Sequence, residues 1–294
     1  MSNKVIITAA LSGAGTFKNN NPSVPYTPKE FAEEAAKVYR AGGAMVHIHP
    51  RTDEGMPTAD VARARDTYNA IKDKTPELIV NISTGWAGLE ATSEQRFDSV
   101  LDIKPEMASL NTSTMNFAMA DRRTGVVGFE FIFENTFAML EKFGKAMDEN
   151  NIKPELEVFD LGGLDNFLLL NKQGIFKTPY NINFVWGAAG GQQFRPDAFL
   201  TLKNALPAET SFTTCGVGKD QFSACMQSCI CGGHMRVGLE DNTKMPNGEL
   251  AKGSYEAVGW AVTVANSLGR EVASPDEARE IMGLAGNILQ VEAG

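Results

Sequence analysis

The feature that most restricts this chain's fold is a repeated cycle: an apolar run of strand length, a polar or glycine-rich loop, then an amphipathic stretch of helix length. Strands are expected at residues 5–10, 44–49, 78–82, 107–111, 155–159, 181–186, 211–215 and 234–239. Helices are expected at 28–39, 58–74, 93–101, 135–150, 161–173, 196–205, 219–231 and 249–268, with a further one at 275–284. The first helix carries its own start signal, with Thr27 as N-cap, Pro28 in the first turn and Glu30 closing a capping box. Eight strand-then-helix units without a composition break predict an α/β fold, one (β/α)8 TIM barrel over residues 1–294 with a helical extension from about residue 270. A doubly wound open sheet is the alternative, because alternation alone does not show closure. Against it, Ser12-Gly13-Ala14-Gly15 matches the dinucleotide-binding Gly-x-Gly-x-x-Gly only loosely. Residues 116–133 are long for a barrel loop and are expected to cover the mouth or to meet another subunit.

Charge and hydropathy narrow the partners. The net charge of −9, with no block of Lys and Arg, argues against nucleic acid and anionic membranes, which select basic patches. No stretch approaches the roughly 20 apolar residues of a membrane span. The apolar run after Lys4 is too short for a signal peptide, so a cytoplasmic location is expected. Cys215, Cys225, Cys229 and Cys231 form no Cys-x-x-Cys pair and are expected to be buried reduced thiols.

Barrel catalysis sits at the C-terminal ends of the strands. Those ends carry Thr8, His47 with His49, Ser83, Asn111, Glu157, Asn183, Gly216, and Glu240 with Asp241. His47 and His49 are two apart in a strand-like run that Pro50 ends, so both rings point to one side. Such a pair is half of a metal site, or else two hydrogen-bonded core residues. On the eighth strand Arg236, Gly238 and Glu240 share a face, and Glu240 stands high enough to complete a two-His, one-carboxylate site. The other reading of Arg236 and Glu240 is a structural ion pair. His234 lies at the opposite end of that strand and is not counted as a ligand. Asp241 is the expected general base, oriented by Arg236 and Glu157. Gly216-Val217-Gly218-Lys219 reads as a phosphate cradle or a plain tight turn.

Taken together these residues resemble the β-keto acid cleavage enzymes, zinc-dependent barrels typified by 3-keto-5-aminohexanoate cleavage enzyme. The similarity runs over nearly the whole chain. It includes Ile7-Thr8-Ala9-Ala10, Val46-His47-Ile48-His49-Pro50-Arg51, Ile82-Ser83-Thr84-Gly85, Lys104-Pro105-Glu106-Met107-Ala108, Pro154-Glu155-Leu156-Glu157-Val158 and 232–242 around Arg236 and Glu240. The resemblance implies one Zn2+ held by His47, His49 and Glu240, and a base Asp241 supported by Arg236 and Glu157. It implies substrate contacts from Ser83, Gly85 and Ser109, the last a Thr in the type member. It also implies acetyl-CoA as co-substrate, placed here at Gly216, Gly218 and Lys219, and a homotetramer. The products are acetoacetate and a new acyl-CoA. The type member has a Glu, which reads the substrate's amino group, where this chain has Gly15; a substrate without that positive charge is expected. Phe17, Tyr26 and Trp86 are candidates to shape a more apolar pocket, and Lys18 to meet an anionic tail. The alternatives are another metal-dependent barrel aldolase or hydrolase, or a non-catalytic barrel.

Overall fold

The computed structural model describes residues 3–85 and 91–284. Among them are ten strands: β1 (Ile7–Ala10), β2 (Met45–Ile48), β3 (Ile79–Ile82), β4 (Met107–Asn111), β5 (Met115–Asp121), β6 (Val126–Phe133), β7 (Lys153–Val158), β8 (Tyr180–Trp186), β9 (Thr210–Gly216) and β10 (His234–Val237). All but β5 and β6 close into a barrel in which each strand pairs with its neighbours in parallel. Closure settles the topology against an open sheet.

Among the described residues nine α-helices accompany the strands: α1 (Pro28–Arg40), α2 (Val61–Lys74), α3 (Asp98–Ile103), α4 (Phe137–Glu149), α5 (Leu161–Asn171), α6 (Pro196–Asn204), α7 (Asp220–Ile230), α8 (Ser254–Ser267) and α9 (Pro275–Met282). Thr27 caps α1 in the expected box with Glu30. The second helix starts at Val61 rather than 58, because the Asp60 carboxylate accepts from Ala62 N and Arg63 N and sets the start there. The expected helix at 93–101 is a 3-10 turn, Gln95–Phe97, running into the short α3. The helix expected from 249 begins at Ser254, after a loop that folds back through a Lys244–Leu250 bridge.

Two periodicities divide the strands. Val46, Ile48, Val80, Ile82, Leu156 and Val158 belong to the apolar layer shared with the helices. The alternate residues His47, Asn81, Ser109, Glu155, Glu157 and Arg236 are buried and polar, so the barrel's interior at this level is a polar one. Below it, Ile6, Met45, Ile79 and Met107 join Ala278 and Met282, so α9 caps the N-terminal end of the barrel. The cysteines are free, and Cys215, Cys225 and Cys229 are buried.

Residues 116–133, read from sequence as a long loop, form an antiparallel hairpin of β5 and β6. Its turn is fixed by Gly125 N donating to Asp121 O at 2.7 Å, with Gly125 at φ +75°. Because β4 pairs directly with β7, the hairpin stands outside the barrel's hydrogen-bond ladder. It docks through Ala118 N to Ala189 O at 3.1 Å, and Gly190 lies so close that a Cβ there would fall 1.5 Å from Asn116 O.

Candidate active site

His47 is the third residue of β2 and His49 follows the strand's end, so the pleat turns both rings to one side. Their Nε2 atoms are 3.4 Å apart. Glu240 Oε1 lies 3.7 Å from His47 Nε2 and 3.4 Å from His49 Nε2. These three ligand atoms all fall within 4.8 Å of one another. A tetrahedral zinc with bonds of about 2.0–2.1 Å places its ligand atoms roughly 3.4 Å apart, so the triangle has the right size for the ion. Glu240 Oε2 is buried without a hydrogen-bond partner, a second oxygen the protein leaves unused. The residues therefore fit a divalent metal.

Glu240 is not on the strand. β10 ends at Val237, and Glu240 sits in a turn closed by Asp241 N and Asn242 N donating to Gly238 O. Gly238, at φ +138°, approaches β1 so closely that a Cβ would lie 2.3 Å from Ala10 O. Glu240 N then donates to Ala10 O at 3.2 Å, which brings the carboxylate over the histidines. From the other side the loop after β1 presses on Glu240 at Gly13. Buried Arg51 holds that loop, donating to the carbonyls of Ser12, Gly13 and Thr16 and, at 2.7 Å, to Gly55 O.

Arg236 ties the remaining groups together. Its Nε and one NH2 nitrogen donate to the two oxygens of Asp241 at 3.0 and 3.1 Å, a paired contact that fixes the carboxylate's plane. The guanidinium also reaches Glu240 Oε1 at 2.5 Å and Glu157 Oε1 at 3.3 Å. Burial raises Asp241 to about 6 despite the pull of Arg236. Burial likewise raises Glu157 to about 8, helped by Glu155, Glu240 and Asp241. For Glu240 burial is outweighed by Arg236, His49 and His47, which hold it well below the usual carboxylate range. His47 is held well below its usual value by burial, then by Arg236. The set is thus an ionised Glu240, an imidazole kept neutral, and two carboxyls, Asp241 and Glu157, poised on either side of neutrality.

A cavity of about 590 Å³ opens onto this cluster, a size suited to a small-molecule ligand. His49, Ser83, Gly85, Gly15, Glu157, Arg236, Glu240 and Asp241 lie on its wall, as do Gly218 and Lys219. Ser109 does not; its hydroxyl accepts from Thr84 N at 3.1 Å, behind the wall. Gly216 is likewise off the lining, in β9. The glycine loop offers few donors, since Val217 N and Gly218 N are committed to Trp186 O and Asp241 O. Phe17 and Tyr26 pack on Arg51 instead of on the cavity, and Lys18 pairs with Glu30 at 2.6 Å. Trp86 lies outside the described residues. Residues 116–133 do lie at the mouth, as expected, but the side chains they bring were not foreseen: Phe117, Met119, Phe131 and Phe133 form an apolar wall, and Arg122 and Arg123 stand at its rim. The recurrence of Phe at every second position in 129–133 was the available signal.

Residues 4–284 match the model of a family described as beta-keto acid cleavage enzyme. The chain is 42% identical to 3-keto-5-aminohexanoate cleavage enzyme of Acetoanaerobium sticklandii, over 96% of this chain and 99% of that protein. It is 29% identical to 3-oxoadipate:acetyl-CoA acetyltransferase of Cupriavidus necator, over 97% and 96%. Among solved structures, apo ObcA superposes with a TM-score of 0.71 at 20% identity, a likeness of fold; 90% of this chain is covered, which spans 66% of that protein's length.

Proposed function

The chain belongs to the β-keto acid cleavage enzyme family, and on that footing we propose that it exchanges acyl groups between a β-keto acid and acetyl-CoA, yielding acetoacetate and the CoA ester of the remaining acyl group. The observation that carries this reading is the buried His47–His49–Glu240 triangle beside an Asp241 clamped by Arg236, both facing one cavity. His47, His49 and Glu240 would hold one zinc ion, which when bound supplies Lewis-acid polarisation of the β-keto oxygen and of the enolate that forms from it. Asp241 takes the proton from the carbon between keto group and carboxylate. Arg236 keeps that base oriented. Glu157, protonated near neutral pH, leaves the charge of Arg236 to the other two carboxylates. Ser83, whose hydroxyl accepts from Gly85 N at 3.0 Å and keeps its own hydrogen to donate, would receive the substrate carboxylate, with Ser109 steadying Thr84 behind it.

The carbanion carbon bonds to the thioester carbon of acetyl-CoA and the C–S bond breaks, releasing CoA thiolate. The thiolate then adds to the former keto carbon. Cleavage of the C–C bond gives the new thioester, and Asp241 returns its proton to acetoacetate. Lys219, Arg122 and Arg123 at the rim suit the phosphates of CoA. Gly15 faces Met119, whose Cε and Sδ lie 3.1 and 3.2 Å from where a Cβ would stand. Gly15 brings no carboxylate of its own to meet an ammonium, and the thioether it faces suits an uncharged tail. We read the enzyme as a cytoplasmic homotetramer.

The test combines metal analysis with acetoacetate release from β-keto acids bearing amino, carboxylate and alkyl tails. Zinc near one per chain with acetyl-CoA-dependent turnover, highest for an uncharged tail, is expected. Zinc without such turnover on any tail would overturn the reaction; preference for the amino tail would overturn only the tail assignment.

A further inference from the structure

Asn81 of β3 lies directly opposite His47 in the β2–β3 ladder. His47 Nδ1 and Asn81 Oδ1 are both buried, and no other group gives either a hydrogen bond, which leaves each as the partner available to the other. Burial and Arg236 lower His47, and hydrogen bonding by the Asn81 side chain acts against them. At its other end Asn81 Nδ2 donates to Glu155 Oε2 at 2.8 Å, and Glu155 is itself enclosed in the barrel.

These contacts leave one consistent arrangement. A carboxylate only accepts, so Glu155 draws the amide's NH2 end and turns the amide oxygen toward His47. An amide oxygen only accepts, so the ring must carry its hydrogen on Nδ1. The Nε2 lone pair is then free on the side of His49 and Glu240. We propose that Glu155 and Asn81 are positioning residues, a relay across the barrel interior that fixes the rotation and tautomer of His47 so that Nε2 is offered as the metal ligand. The inference rests on the zinc reading of the His47–His49–Glu240 triangle. Metal-bound histidines generally need such a partner on the second nitrogen, and losing it weakens metal binding by about 10–100-fold.

Zinc affinity, measured by competition with a chromophoric chelator, separates the roles. Asn81→Leu and Glu155→Leu are expected to bind zinc about 10–100-fold more weakly. Glu155→Gln is expected to stay near wild type, because its amide oxygen still accepts from Asn81. In the metal-free protein, nitrogen-15 spectra of the imidazoles are expected to show the Nδ1–H form for His47, and a mixed form in Asn81→Leu. A folded Asn81→Leu protein with unchanged affinity and unchanged tautomer would overturn the relay. If that variant does not fold, Asn81→Ala and the Glu155 pair answer the same question. Wild-type protein that binds no zinc would overturn the metal reading, while the tautomer in that protein still decides the relay.

Discussion

The barrel holds a histidine at its floor and two at its mouth, and the three share little beyond their ring. At the floor, His234 Nδ1 accepts from Ile6 N at 3.0 Å and Nε2 meets Ser211 Oγ at 3.1 Å. Both nitrogens are spent on the protein, and burial, then Arg270, pushes the ring down to about 3. At the mouth, His47 and His49 turn Nε2 toward each other and toward Glu240. A buried imidazole is structural when both nitrogens find partners and a ligand when one is left facing another Lewis base. The residue type decides neither.

Breaking the mouth is expected to have the largest effect. Glu240→Ala should lower zinc content toward zero and, with the Lewis acid gone, lower kcat/KM by about 1,000-fold or more; elemental analysis and acetoacetate release check both. Asp241→Asn should keep the zinc and lose about 100- to 10,000-fold in turnover, as removal of a general base does. Retained zinc distinguishes this variant from the first. His234→Gln at the floor should leave zinc and turnover within a few-fold of wild type and change only the pH dependence of stability. His234 has its folded value near 3, below the roughly 6.5 of an unfolded histidine. Below about pH 6.5 the unfolded chain therefore takes up a proton that the folded chain refuses. The stability His234 contributes is full above that pH and is lost as pH falls toward about 3. Urea unfolding between about pH 5.5 and 4.5 should show a slope shallower by about 1.4 kcal/mol per pH unit in the variant, with little difference above about pH 7.

Much of this contrast was legible in the sequence. The alternation of apolar runs and amphipathic stretches gives the barrel, and the position of His234 at the start of its strand gives its exclusion from the site. The His47–His49 pair follows from the period of two. Glu240 was placed by extending that period past Val237, where the strand has ended; the carboxylate arrives through a turn at Gly238 instead. Three things were hidden because they depend on tertiary contacts. The amides of Val217 and Gly218 look free in the sequence, yet Trp186 O and Asp241 O claim them. Asn81 reads as a stray polar residue in Ile79-Val80-Asn81-Ile82 until Glu155 appears opposite it. Residues 116–133 read as a loop because a barrel cycle has no place for a strand pair between β4 and α4.

That pair of strands leaves the β4–β7 ladder uninterrupted, and with it the seating of Glu155 and Glu157. Its Phe117, Met119 and Phe131 nevertheless form the wall that a substrate's tail would meet. On the proposed reading, proton and metal handling belong to the barrel and tail preference to the hairpin, whose turn also offers Arg122 and Arg123 to CoA. Rewriting Phe117, Met119 and Phe131 while keeping those two arginines would then retool which tail the enzyme accepts without retuning what it does.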